Sequence, residues 1–244
     1  MEFPSNTQII TWWNSCNFQS ANSYIILEFI HFHDRLNLLL TFILLVVAYF
    51  IVSITFNKVY HLYLKDNHIL ERIWIFTPSL LLIKIAVPSL AILYLIDDLV
   101  DSSLRLKVNA HQWFWRYEYT DFYPTGVDSS LEFDSYIIPE KRLELNEFRL
   151  LETENRPVLP YSTETQILIT RIDVLHSWTI PRLGVKADAN PGRINHVKIK
   201  PYNPGVFYGQ CSEICGANHR FIPISLEFIS AEFFLDWIIR NRNE

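Results

Sequence analysis

The stretch GQCSEICGANHRFIPI, Gly209–Ile224, places Cys211, Cys215 and His219 at successive spacings of four. Three residues beyond His219 stands Ile222, in a chain whose only methionine is Met1. Another histidine, His176, lies 35 residues before Cys211 in DVLHSWTIP. Two thiols and two imidazoles suit zinc, an iron–sulfur cluster or copper. On an exterior face, a disulfide between Cys211 and Cys215 is the plain alternative. Their spacing is poor for that bond. Structural zinc sites draw on closely spaced cysteine pairs, and the first pair fits, but the pair does not repeat. Instead the donors bunch in one loop, with one histidine from an earlier loop. That is the layout of copper in a small β-sandwich, where a mononuclear site uses one Cys and two His. A second cysteine is added here, enough for two thiolates to bridge two copper ions.

Around this loop the chain is built of short runs. From Ser103 onward, alternating segments such as LRLKVNA, TQILIT and HVKIK read as strands. They are broken by turn signals, including NPG at 190–192 and 203–205. The pattern predicts an antiparallel sandwich or barrel. One short helix closes the chain. Ser230 is its N-cap, and Phe233, Phe234, Trp237 and Ile238 form its apolar stripe. In HQWFWRYEY, a strand would put Trp113, Trp115, Tyr117 and Tyr119 on one face. Most of these aromatics cover a wall of the barrel, and an exposed member serves as a contact platform.

The first hundred residues have a different character. Residues 38–56, LLLTFILLVVAYFIVSITF, carry no charge and span a bilayer core at 1.5 Å per residue. Residues 73–96 are almost as apolar but contain Lys84, Pro78 and Pro88. Proline is tolerated in a membrane helix when neighbours satisfy the freed backbone groups. A lysine at that depth must face protein or water. This predicts a two-helix hairpin packed against a larger membrane partner. The opening MEFPSN lacks the basic-then-apolar pattern of a cleaved signal.

Charge sets the topology. The loop 57–72 holds Lys58, Lys65 and Arg72 against Asp66 and Glu71, so it lies on the inner side. Residues 1–37 and the domain at 97–244 then lie outside, and Asp97, Asp98 and Asp101 follow the second span. The outer domain carries 21 acids and 16 bases. That balance suits a cationic partner, or equally a plain solvated acidic surface, and no nucleic acid.

With HFHD (31–34), HQWFWRYEYTDF, DVLHSWTIP and above all YGQCSEICGANH on the page, the chain resembles the cytochrome c oxidase subunit II family, mitochondrial type. The resemblance covers most of the chain. It implies a two-helix transmembrane hairpin in the mitochondrial inner membrane. It also implies a cupredoxin-like Greek-key domain in the intermembrane space, holding the dinuclear copper centre called CuA. By that resemblance Cys211 and Cys215 are the bridging thiolates, and His176 and His219 are the imidazole ligands. Glu213 gives copper its backbone carbonyl and reaches with its side chain a magnesium shared with the large subunit, subunit 1. Trp113 is where electrons enter from cytochrome c. Glu71 is the acid at the inner mouth of a proton channel, although the helix dipole equally favours an acid at a helix start. Glu118, Asp121, Glu154 and Asp173 match the docking face for basic cytochrome c. The implied function is to accept electrons from cytochrome c and pass them to haem in subunit 1 for oxygen reduction coupled to proton pumping.

Two positions depart from the family. Lys84 stands where an apolar residue is expected. Ile222 stands where the family has a copper-ligating methionine. Isoleucine occurs 29 times against a single methionine. Many mitochondria read AUA as methionine, whereas the standard code reads it as isoleucine. Ile222 is therefore expected to be a translation artefact, with methionine in the working protein.

Overall fold

The computed structural model describes residues 16–59, 63, 65–97, 102, 104–119, 121–122 and 131–241. It divides into two units, one of residues 28–97 and one of residues 1–27 with 98–244. Asp98 and Asp101, which enter the topology expectation, and the opening residues 1–15 lie outside the described residues.

Two long helices make up the first unit, α1 (Tyr24–Phe56) and α2 (His68–Asp97). Each is long and apolar enough to cross a membrane. Leu40, Phe50, Leu82 and Leu93 are all more than half exposed along them, a surface that requires lipid or protein around it. Both helices overrun the apolar windows 38–56 and 73–96. The Ser23 hydroxyl accepts the Ile26 amide at 3.4 Å, so α1 starts at Tyr24. Glu28 and Arg35 are good helix formers and do not interrupt it. Asn67 caps α2 by accepting the Ile69 and Leu70 amides, each at 3.1 Å, which places its start inside the predicted loop. Pro78 and Pro88 lie within α2. Lys84 and Arg35 line one groove of about 800 Å³ with Phe32, Leu36, Phe42 and Pro88.

The second unit is a β-sandwich. Its strands are β1 (Leu104–His111), β2 (Phe114–Tyr119), β3 (Leu131–Ser135), β4 (Val158–Pro160) and β5 (Thr165–Arg171). There follow β6 (His176–Ile180), β7 (Val185–Ala189), β8 (Asn195–Ile199), β9 (Gly205–Gln210), β10 (Pro223–Ile229) and the helix α3 (Ala231–Asn241). One sheet runs β3–β2–β1–β5–β8, a second β4–β10–β9, and β6 pairs with β7. The sandwich is not purely antiparallel. β1 runs parallel to β5, with Leu104 opposite Thr165, and β10 runs parallel to β4. Parallel pairs need long crossovers, and the intervening chain between β1 and β5 supplies one.

Alternation fixes which side chains fill the interior. Leu106, Val108 and Ala110 of β1 and Trp115, Tyr117 and Tyr119 of β2 are completely buried. They meet Ile167, Trp178, Phe207 and Leu226 from the other strands. Trp113 is not part of this row. It sits in the turn before β2 and is half-buried, because β1 and β2 close on each other at His111 and Phe114. Ser230 caps α3 as expected, its hydroxyl accepting the Phe233 amide at 3.5 Å. Phe234 and Ile238 are buried under α3 and Trp237 packs beside them, whereas Phe233 is 69% exposed, outside the predicted stripe.

A short N-terminal strap completes this unit. The Ser23 hydroxyl donates to the Leu183 carbonyl at 2.7 Å, and Asn22 bonds Asn203 through both side chain and backbone. Gly184 takes a left-handed φ of 70°, and a Cβ there would fall 2.9 Å from Ile26. The strap therefore needs glycine at that position.

Candidate metal centre

The loop after β9 and the start of β6 meet at the edge of the core. His176, the first residue of β6, is fully buried. Its Nδ1 faces the Cys211 Sγ at 3.8 Å. The ligand atoms of His176, Cys211 and Cys215 all lie within 4.8 Å of one another. His219 opens a short 3-10 turn before β10, and its Nδ1 is 3.5 Å from the Cys215 Sγ. The Glu213 carbonyl approaches the Cys211 Sγ at 3.3 Å. Backbone bonds fix the loop: the Cys211 amide donates to the Ile222 carbonyl at 3.1 Å, and the Ser212 amide to the Ser177 carbonyl at 3.0 Å. Cys211 and Cys215 are free thiols, so the disulfide alternative is set aside.

Burial governs the electrostatics. It pushes the Cys215 thiol up to about 12, helped by the neighbouring Cys211. It also lowers the His176 imidazole, against the raising effect of Asp173. Burial thus favours the neutral thiol of Cys215 and the neutral imidazole of His176, and a bound cation would have to displace the Cys215 proton.

The turn at Gln112 and Trp113 leans on this centre. The Gln112 side-chain amide donates to the Cys215 carbonyl at 2.8 Å. A Cβ on Gly216 would sit 3.3 Å from the Trp113 ring, so that ring lies flush against the metal loop. Asp173 accepts from the His176 Nε2 at 2.9 Å and from the Gln112 backbone amide. Partial burial works against the Asp173 carboxylate, but these two bonds outweigh it and hold its pKa below the ordinary value. Gln112 was missed by residue type and spacing. Its place beside Trp113 in HQWFW is the only sequence signal for it.

Residues 104–229 match the family described as Cytochrome C oxidase subunit II, periplasmic domain, and residues 11–92 match its transmembrane domain. The chain is 47% identical to cytochrome c oxidase subunit 2 of Periplaneta americana over 95% of this chain and 99% of that one. It is 49% identical to the same subunit of Oncopeltus fasciatus over 93% and 96%. The chain belongs to the cytochrome c oxidase subunit II family. The crystal structure of the periplasmic domain of subunit II of cytochrome oxidase of Bradyrhizobium japonicum is similar at 34% identity and a TM-score of 0.53, covering 60% of this chain and 98% of that one.

As a cytochrome c oxidase subunit II, this chain is part of a haem–copper terminal oxidase, and its insect relatives agree with the mitochondrial type. The two apolar helices, the cupredoxin-like sandwich and the short C-terminal helix agree with the expected fold class. The family domain implies a CuA centre, and the donor set fits it: two free buried thiols and the His176 imidazole converge, with the His219 Nδ1 against Cys215 and the Glu213 carbonyl against Cys211. Ile222 is 1% exposed and borders Cys211 through its carbonyl, but its side chain has no donor atom. Glu71 lies in the first turn of α2, with His68 Nδ1 3.3 Å from its carboxylate. Among the proposed docking acids, Glu118 pairs with Lys107, Asp121 with Arg105 and Glu154 with Arg142.

Proposed function

We propose that this chain is the subunit through which electrons enter its oxidase, taking them from cytochrome c at a dinuclear CuA centre and passing them to haem in subunit 1. The convergence of His176, Cys211 and Cys215 at a buried point, with His219 against Cys215, is the observation that carries the reading. Cys211 and Cys215 supply bridging thiolates, His176 and His219 supply imidazole Nδ1 atoms, and Glu213 supplies its carbonyl. Held by these residues, the centre would supply one-electron transfer with little reorganisation. The Glu213 carboxyl reaches a magnesium shared with subunit 1. Trp113 receives the electron from cytochrome c beside the metal loop. Glu71 stands at the inner mouth of the proton channel that serves proton pumping. The chain lies in the mitochondrial inner membrane, with the sandwich and both termini in the intermembrane space and the loop 57–72 in the matrix.

Replacing Cys215 tests this directly. Cys215→Ser abolishes the mixed-valence copper signal and the oxidase activity of the assembled complex. A Cys215→Ser oxidase that kept both would overturn the assignment.

A further inference from the structure

We infer that Asp173 and Gln112 form a clamp that positions the metal ligands relative to Trp113, an inference resting on the proposed CuA reading. Asp173 belongs to the acids assigned to cytochrome c docking, yet its geometry is that of a linker. Its side chain is only 27% exposed. One oxygen, Oδ1, accepts from the His176 Nε2 at 2.9 Å, and the other, Oδ2, accepts from the Gln112 backbone amide at 2.5 Å. Both acceptor sites are therefore engaged inward. A carboxylate oxygen can only accept, so Nε2 carries the ring proton and donates it in the bond to Asp173, which leaves Nδ1 facing Cys211 as a free lone pair. The carboxylate thereby fixes the tautomer and the ring plane of a metal ligand.

Gln112 continues the connection. Its backbone is held by Asp173, and its side chain holds the Cys215 carbonyl at 2.8 Å. The neighbouring Trp113 ring rests against Gly216 in the same loop. Two residues thus join three segments: the loop before β6, the β1–β2 turn and the Cys211–Cys215 loop. A shift in any one moves the others. Because electron transfer rates depend steeply on the separation of donor and acceptor, such a clamp holds the distance between Trp113 and the centre constant. Second-sphere partners of metal-bound histidine are worth about 10–100-fold in affinity or activity.

The test compares three variants in the whole oxidase. Asparagine at 173 keeps one acceptor and turns an NH₂ toward the other donor, so Asp173→Asn breaks the clamp and removes a charge. Gln112→Leu breaks it with no change of charge. Glu118→Gln removes a docking-face charge away from the centre. Electron paramagnetic resonance and near-infrared spectra of the copper, KM and kcat for cytochrome c, and the salt dependence are measured together. Asp173→Asn and Gln112→Leu shift the copper spectra and lower kcat by about tenfold or more, with the salt slope of Gln112→Leu unchanged. Glu118→Gln leaves the spectra and kcat alone and changes KM only slightly, since Glu118 is one acid of the excess. Asp173→Asn acting only on KM, as Glu118→Gln does, would overturn the clamp. So would a Gln112→Leu oxidase with unaltered spectra and kcat, which decides the matter even if Asp173→Asn fails to assemble. Absence of a CuA signal from the unmodified oxidase would instead remove the reading on which the clamp rests.

Discussion

Ile222 carries the sharpest discrepancy at the level of single residues. A thioether is a soft ligand suited to copper, and isoleucine offers no donor atom. The side chain is 1% exposed and sits where the loop returns to Cys211, so the position is shaped for a buried apolar or thioether group. The codon at 222 is expected to be AUA, and mass spectrometry of the native peptide 221–240 is expected to show methionine. AUU or AUC, or isoleucine in that peptide, would mean that this oxidase works without the thioether. Tyr119 gives a second test. Its hydroxyl donates to the Val158 carbonyl at 2.8 Å and accepts the Val158 amide at 2.9 Å, wholly out of water. Tyr119→Phe strands both groups and costs about 1–3 kcal/mol in unfolding experiments, with copper content unchanged. Burial raises the pKa of Tyr117 and Tyr119, so the folded state holds their protons more tightly than the unfolded chain. Stability is thus full below the ordinary tyrosine value near 10 and falls as pH rises beyond it. A flat stability profile across that range would contradict the account. The metal donors were legible because thiols and imidazoles at short spacing have few other uses. Asp173 and Gln112 were not, because their partners depend on how three loops fold together.

The elements show the same division. Hydropathy found both helices, but not their starts, since capping by Ser23 and Asn67 is local geometry rather than composition. Alternation found β1, β2, β5 and β8 and the burial of Trp115, Tyr117 and Tyr119, but it carries no information on parallel pairing or on where Trp113 leaves the strand. Lys84 is the element-level prediction. A lysine on a membrane helix costs roughly 2.5–3.5 kcal/mol on insertion scales unless it finds a polar neighbour. It shares its groove with another cation, Arg35, and no acid lines that groove among the described residues, so its counter-group is expected from the large subunit or from water. Site-directed cross-linking from position 84 is expected to capture subunit 1 in the assembled oxidase. Recovery of lipid adducts alone would contradict this.

On the scale of the whole molecule, the proposed electron entry makes charge and the fixed position of the metal loop the two properties to test. Glu118, Asp121 and Glu154 each pair with a base of the same domain, so on the proposed reading any attraction for a basic cytochrome c would come from the overall excess of acids more than from any one of them. The rate of reaction with cytochrome c is expected to fall as salt rises, since exposed charges are screened within about 8 Å at physiological ionic strength. A salt-independent rate would point to apolar docking instead. On the proposed reading, the two thiols and two imidazoles of this chain hold two copper ions acting as one redox unit. Copper analysis combined with electron paramagnetic resonance of the oxidised, unmodified protein tests it most directly. The expected result is two copper ions per chain sharing one unpaired electron, with hyperfine structure from two equivalent nuclei. One copper per chain with single-nucleus hyperfine structure, or no copper at all, would contradict it.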